Sequence, residues 1–264
     1  MAETIEKTDL RDYYLSHFET FEQSLNGLKS SELHAERRKA MDQFMETGFP
    51  TTDNEDWKYT STVPILKHTF VPASSTGESI VTKDMLGKYL IKDLPVNLFV
   101  FVNGRLIDKL SVRQKGSESL QAENLASVIN SNSEVVTKYL SEPANGFNAL
   151  NKAFLNDGAV IRIPEEVILK DPIHLLFLSG SETEVVLIQP RVFIIAGKNS
   201  QAKIIESHHS LTGNAYLFNS VTEVVTEENS VLNYFKIQNE SDSAFHISRL
   251  QVRQDRASSF NSFA

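Results

Sequence analysis

The sequence predicts an α+β chain, mainly β, with helices first and short strands last. Three observations carry that expectation. Residues 8–47 repeat apolar side chains at helical spacing, whereas from Ala159 the chain breaks into short runs rich in Val, Ile and Phe. Turn-forming residues separate those runs at intervals of roughly 7 to 15 residues. The 264 residues are 41% hydrophobic and 23% charged, a globular composition long enough for one large or two ordinary domains. Three regions follow: a helical domain over 1–65, a mixed connection with a β-hairpin and helices over 66–157, and a strand-rich core over 158–264.

In the helical region, Leu10, Tyr14, Phe18, Phe21, Leu25 and Leu28 recur three and four residues apart, on one helical stripe. Gly27 interrupts near its end, and Ser30-Ser31 offers an N-cap for a second helix carrying Leu33, Ala40, Met41, Phe44 and Met45. Gly48 and Pro50 stop that helix. A coiled coil would also use such a stripe, but two short helices suit a helical hairpin better. Pro64, Pro72, Ser74, Ser75 and Gly77 then mark a loop-rich stretch, followed by a short helix around Met85 to Leu90. Leu98 to Val102 and Arg105 to Ile107 flank Asn103-Gly104, a pair suited to the positive φ values of a type I′ hairpin turn.

Residues 120–156 read as helical. Leu120, Leu125, Val128 and Ile129 form one face, Val135, Val136, Tyr139 and Leu140 another, and Phe147, Leu150, Phe154 and Leu155 a third, with Asn156-Asp157-Gly158 as the stop. The runs AVIRI, VILK, IHLLFL, EVVLI, RVFIIA, AKIIESHH, AYLFNSVTEVV, VLNYFKI and FHISRLQV follow without a helical pattern between them. Crossover helices are therefore not expected, leaving an all-β sandwich, a barrel or a β-solenoid. The last run reads as strand to Val252 and the sequence stops at FNSFA. A solenoid left open there would be a template for association, so the chain is expected to be a fragment or to be finished by a partner.

Composition narrows the function. There is no cysteine, which removes disulfides, thiolate metal sites and cysteine nucleophiles from this chain. No apolar run reaches the roughly 18 residues of a membrane-spanning helix, and the charged N-terminus does not read as a secretory signal. Net charge is −8, and residues 1–64 hold 13 acids against 7 bases. An acidic chain repels phosphate backbones, so nucleic acid is not expected as a partner.

Candidate chemistry is sparse. Glu206-Ser207-His208-His209 would place Glu206 and His208 on one face of a strand, and with His246 or His174 could give a cupin-like metal site. The flanking glycines and paired histidines usual for cupins are missing. Glu165, Glu166 and Asp171 could serve carbohydrate chemistry on a β-solenoid, although PEEVILKDP reads better as a solvated corner. Glu55 and Asp56 flank Trp57, the sole tryptophan, as a docking anchor or core residue. Arg249, Arg253 and Arg256 form at most a small basic edge. Phosphate-binding loops and a GxSxG elbow are absent. No residue is assigned as catalytic, cofactor-binding or metal-ligating.

Four stretches in order, EDWKYT at 55–60, LFVFVNGRL at 98–106, FNALNKAFLNDGAVIRIPEEVILKDPIHLLFLS at 147–179 and PRVFIIAGKNSQAKIIESHH at 190–209, resemble the SufB/SufD family of iron–sulfur cluster assembly proteins, SufD more than SufB. The resemblance implies a right-handed parallel β-helix, here truncated, after an N-terminal helical domain. It also implies a non-catalytic cytoplasmic scaffold that pairs with a SufB-like subunit, or with a second copy as a homodimer. A SufC-like ATPase would work with that pair, through a docking region beyond residue 264. The nascent iron–sulfur cluster would be built at the SufB–SufD interface, its thiolate supplied by SufB.

Overall fold

The computed structural model describes residues 10–25, 28–73 and 81–264. Its helices are α1 (Leu10–Ser24), α2 (Glu32–Thr47), α3 (Val63–Leu66), α4 (Lys83–Leu86), α5 (Leu125–Asn132), α6 (Glu134–Thr137) and α7 (Gly146–Ala153). Its strands are β1 (Val71–Pro72), β2 (Asn97–Val102), β3 (Arg105–Leu106), β4 (Gln121–Asn124), β5 (Gly158–Ile163), β6 (Ile173–Ser179), β7 (Val186–Ile188), β8 (Arg191–Ala196), β9 (Gln201–Ser210), β10 (Tyr216–Thr226), β11 (Val231–Asn239), β12 (Ala244–Gln254) and β13 (Ser259–Phe263). The chain divides into two compact units, Met1–Thr69 with Glu142–Leu155, and Phe70–Ser141 with Asn156–Ala264.

The first unit is helical. The stripe read from sequence buries Tyr14, Phe18 and Leu25, and α2 answers with Leu33, Ala40, Met41 and Phe44. Ser31 caps α2 by accepting from the His34 amide, and Gly48 closes it at φ +63. The expected interruption at Gly27 lies outside the described residues. Helix α7, distant in sequence, completes this core. Phe49 stands 4.9 Å from Phe147 and 5.0 Å from Phe44, and Phe18 packs edge-on against Phe154 at 5.8 Å. The Arg37 guanidinium, fully buried, donates to the Leu155 carbonyl at 2.9 Å and 2.5 Å, holding the C-terminal end of α7. Burial lowers the Arg37 pKa to about 10.

The second unit is a β-solenoid of about four turns built from two sheets. From β8 onward, strands alternate between the sheets along the chain. In one, β5, β8, β10 and β12 stack in parallel through the register Gly158, Arg191, Val221, Arg249, about 30 residues per turn. In the other, β2, β6, β9, β11 and β13 do the same. The sandwich and barrel alternatives are thereby set aside in favour of the solenoid. The lumen of the early turns is apolar, with Phe99, Phe101, Ile161, Leu175, Phe177 and Ile194 all buried. The hairpin between β2 and β3 forms as the sequence requires, with Asn103 at φ 47 and Gly104 at φ 85. The Asn103 side chain then spans to the next turn, donating to the Gly180 carbonyl at 3.2 Å and accepting from its amide at 2.9 Å. The outer face of β2 and β6 is covered by residues 81–112 through Val81, Leu86, Val96, Ile107 and Leu110.

One corner of the solenoid repeats a left-handed residue once per turn: Glu166, Asn199, Asn229 and Ala257, at φ 64, 56, 58 and 56. The Asn199 amide donates to Glu166 at 2.7 Å, and Asn229 donates to Asn199 at 3.1 Å. Asparagine suits this place because its short side chain tolerates the left-handed conformation.

Several expectations are corrected. Residues 121–124 are a strand, β4, because they pair antiparallel with β5 and cover the edge of the first turn. Helix α7 ends at Ala153, so Gly158 is not its stop but the first residue of β5, at φ 129. A side chain at 158 would collide with the Arg191 backbone, 1.9 Å from where its Cβ would stand. The short helix around Met85 lies at Lys83–Leu86. The run VILK makes only an isolated bridge, Ile168 to Gln201, while FNSF belongs to a further strand, β13. Ser74, Ser75 and Gly77 fall outside the described residues.

Candidate functional site

In the later turns the lumen changes character. Phe101, Phe177 and His208 are register partners in adjacent strands, stacked at 4.4 Å and 4.9 Å between ring centroids. Across the lumen Phe218 stacks on its register partner His246 at 5.0 Å. Each aromatic ladder thus hands over from phenylalanine to histidine, and the two imidazoles meet edge to face at 4.6 Å. Inward positions on β9 run Ala202, Ile204, Glu206, His208, and on β11 Leu232, Tyr234, Lys236.

These polar groups form one continuous network. Glu206 takes a hydrogen bond between its Oε1 and His208 Nε2 at 2.8 Å, accepts another at Oε2 from the Tyr234 hydroxyl, and has the Lys236 ammonium 3.6 Å away. Lys236 Nζ reaches His246 Nε2 at 3.1 Å and donates to the Ser248 hydroxyl at 2.7 Å. An ammonium can only donate, so His246 Nε2 accepts and Nδ1 carries the proton given to Glu240 Oε2 at 2.7 Å. Tyr216 donates to Glu240 Oε1 at 2.8 Å and is bonded to Ser210 at 2.8 Å.

Burial alone would push the Glu206 carboxyl up, but the His208 hydrogen bond, the charges of His208 and Lys236 and the Tyr234 hydroxyl outweigh it and hold the pKa at about 2. Glu240 stands at about 2 for the same kind of reason, with His246 and Tyr216 overcoming burial. Burial lowers His246, against the opposing pull of Glu240. It raises both tyrosines, Tyr234 with the added influence of Glu206. Two carboxylates are therefore charge-balanced in part by one ammonium, with the Lys236 ammonium and the His246 imidazole lying between Glu206 and Glu240 and His208 bonded to Glu206.

The structure brings together three of the groups expected from sequence. Glu206 and His208 share the lumen face, and His246 joins them. His209 points outward, its ring 5.1 Å from Tyr89, and His174 bonds to Ser207 at 2.7 Å on that outer side. Burial, with His209 close by, lowers His174 to about 4. Where the sequence suggested a cupin-like set, the Lys236 ammonium lies between Glu206 and His246, 3.6 Å from the carboxylate and 3.1 Å from the imidazole. Among the described residues no group of three His, Asp or Glu side chains is placed to hold a metal ion. Glu165 and Glu166 occupy the exposed corner after β5, Glu166 engaged by Asn199. The Asp171 carbonyl accepts from Asn97 at 3.1 Å. Arg249 donates to Gln251 at 2.8 Å, Arg253 lies over the Tyr139 ring at 5.4 Å, and Arg256 sits in an exposed turn. Glu55, Asp56 and Trp57 form a single 3₁₀ turn in the helical unit.

Tyr216, Tyr234, Lys236, Glu240 and Ser248 escaped the sequence reading. The signal was present as polar residues at alternate positions in AKIIESHH and VLNYFKI, but it becomes informative only once the stacking order of the strands is known.

Comparison with known proteins agrees with this architecture. Residues 8–175 match the SufBD protein N-terminal region, and residues 177–264 match the SufBD core domain of SUF system FeS cluster assembly. The chain is similar to an iron-sulfur cluster assembly SufBD family protein of Synechocystis sp., 26% identical over 247 residues. That alignment covers 89% of this chain and 54% of the relative, so the chain spans about half the length of the curated relative it matches. Among the described residues no helix is long and apolar enough to cross a membrane. On the two consecutive matches that together run from residue 8 to residue 264, this chain belongs to the SufBD family of the SUF system.

Proposed function

We propose that this protein is a non-catalytic scaffold subunit of the SUF iron–sulfur cluster assembly machinery, acting in the cytoplasm. It is SufD-like, pairs with a SufB-like subunit and works with a SufC-like ATPase. The observation that carries this reading is the SufBD match across the helical unit and the solenoid, on a chain with no cysteine. Without thiolates, this chain needs a partner to supply the soft ligands of a nascent cluster, which is the cargo of the assembly. The lumen network suits a scaffold, because it ties β9, β10, β11 and β12 together through charged hydrogen bonds.

An anaerobic pull-down of the tagged protein from its own cell tests the reading. SufB- and SufC-like proteins recovered together at stoichiometric levels support it. Recovery of neither refutes it.

A further inference from the structure

The EDWKYT segment lies outside the lumen network, and its Glu55, Asp56 and Trp57 line a cleft of their own. Within the helical unit, a space of about 290 Å³ opens between the end of α2 and the start of α7. Its walls include Thr47, Gly48, Glu55, Asp56, Trp57 and Asn145. The floor is set by two glycines in backbone contact: a Cβ on Gly146 would stand 1.8 Å from the Gly48 carbonyl oxygen.

The cleft is lined by an aromatic ring and two carboxylates. One side of the Trp57 indole rests on Phe147, centroids 5.5 Å apart, and the half-buried ring also lines the cleft. The negative end of the 16-residue α2 faces it through Thr47 and Gly48. On the opposite wall, the positive end of α7 is blunted by Asn145, whose side chain accepts from the Asn148 amide at 3.1 Å. Glu55 and Asp56 are exposed, and although the Glu55 carbonyl accepts from the Lys58 amide at 3.3 Å, the two side-chain carboxylates make no hydrogen bond or ion pair with described residues. An indole beside two open carboxylates favours a guanidinium. It stacks flat on the ring while its N–H groups reach the carboxylates, which an ammonium cannot do at once.

The surroundings favour a macromolecular source. Close in sequence to Trp57, Tyr59 is 92% exposed, with the Lys58 ammonium 5.8 Å from its ring centroid, and Val63 is 57% exposed, contact area that a free small cation would leave in water. We propose that this cleft receives an arginine side chain from a partner protein, with Trp57 as the stacking surface and Glu55 and Asp56 as its counter-charges. The proposal stands independently of the assembly role.

Trp57 is the only tryptophan, so its emission reports on the cleft directly in the full chain. The probe is arginine blocked at both termini, N-acetyl-arginine amide, compared with N-acetyl-citrulline amide, its neutral counterpart, and with free L-arginine. The expected result is a saturable change with blocked arginine in the millimolar range. Citrulline amide should give none, and free arginine should bind more weakly because its α-carboxylate meets the acidic mouth. Glu55→Gln with Asp56→Asn, both exposed positions, should weaken blocked arginine about fivefold or more. An equal response to citrulline amide, no saturable response, or an unchanged affinity in the double variant would overturn the proposal. Tighter binding of free arginine would also overturn it, by making the ligand a metabolite instead of a protein side chain.

Discussion

Arg191 and Glu223 form a buried ion pair on the outer face of the solenoid, with side chains 2% and 4% exposed. Glu223 Oε1 accepts from Arg191 Nη2 at 2.5 Å and Nε at 3.2 Å. The same oxygen accepts from the Ser141 amide at 3.1 Å and its hydroxyl at 2.8 Å. Four donors therefore converge on one carboxylate oxygen. Glu223→Leu removes all four bonds and leaves the guanidinium buried without its counter-charge, a change expected to cost about 3–5 kcal/mol. Arg191→Met/Glu223→Leu should recover most of that loss, to within about 1–2 kcal/mol of the parent, because apolar side chains replace both charges together. The assay is urea unfolding followed by far-UV circular dichroism, with hydrogen exchange at the Ser141 amide as the local readout. Trp57 emission belongs to the helical unit and serves as the internal control. A loss below about 1 kcal/mol for Glu223→Leu, or a double variant less stable than the sum of the single ones, would refute the argument that desolvation dominates this pair.

Three further outcomes follow from the same structure. Glu206 and Glu240 have folded pKa values of about 2 against an ordinary value near 4.5, so their stabilisation is present above pH ~4.5 and is lost as pH falls toward 2. In Glu206→Gln the unfolding free energy should lose about one proton's worth of slope across that window, and an unchanged slope would contradict the assignment. Ala257 is the one alanine in a corner ladder otherwise made of Glu166, Asn199 and Asn229, and it holds φ 56. Ala257→Asn should relieve the left-handed penalty and stabilise by ~0.5–1 kcal/mol, read as a Tm rise of a few degrees; a fall in Tm would count against the ladder. Gly146→Ala places a methyl group 1.8 Å from the Gly48 carbonyl oxygen. It should cost about 2 kcal/mol or more and red-shift Trp57 emission, and a silent substitution would show that α2 and α7 can separate freely.

Much of the fold was legible wherever local chemistry decides it. Ser31, Gly48 and the Asn103-Gly104 turn act within a few residues of themselves, and each performs its expected role. The misplaced elements are those decided from far away. Gln121–Asn124 has no strand-like alternation and becomes a strand because β5 offers an edge. β13, at Ser259–Phe263, is extended because β11 lies beside it. The lumen network shows the same division. Strand parity correctly put Glu206 and His208 on one face, but Lys236, Tyr234 and Glu240 join them only because turns about 30 residues apart stack in register. No short window contains that relation.

The helical unit takes its residues from two places, Met1–Thr69 and Glu142–Leu155, with the intervening chain assigned to the solenoid. During synthesis α1 and α2 therefore leave the ribosome without Phe147 and Phe154, the rings that complete their aromatic core. At ordinary elongation rates the missing helix follows on the order of ten seconds later, which is long compared with helix pairing. Throughout that interval Phe49 lacks the Phe147 ring and Phe18 lacks the Phe154 ring, while Phe44 can already pack on Tyr14 and Phe49. This unit therefore cannot finish folding until the chain has been made as far as Leu155, by which point strand β2 of the solenoid has already been synthesised.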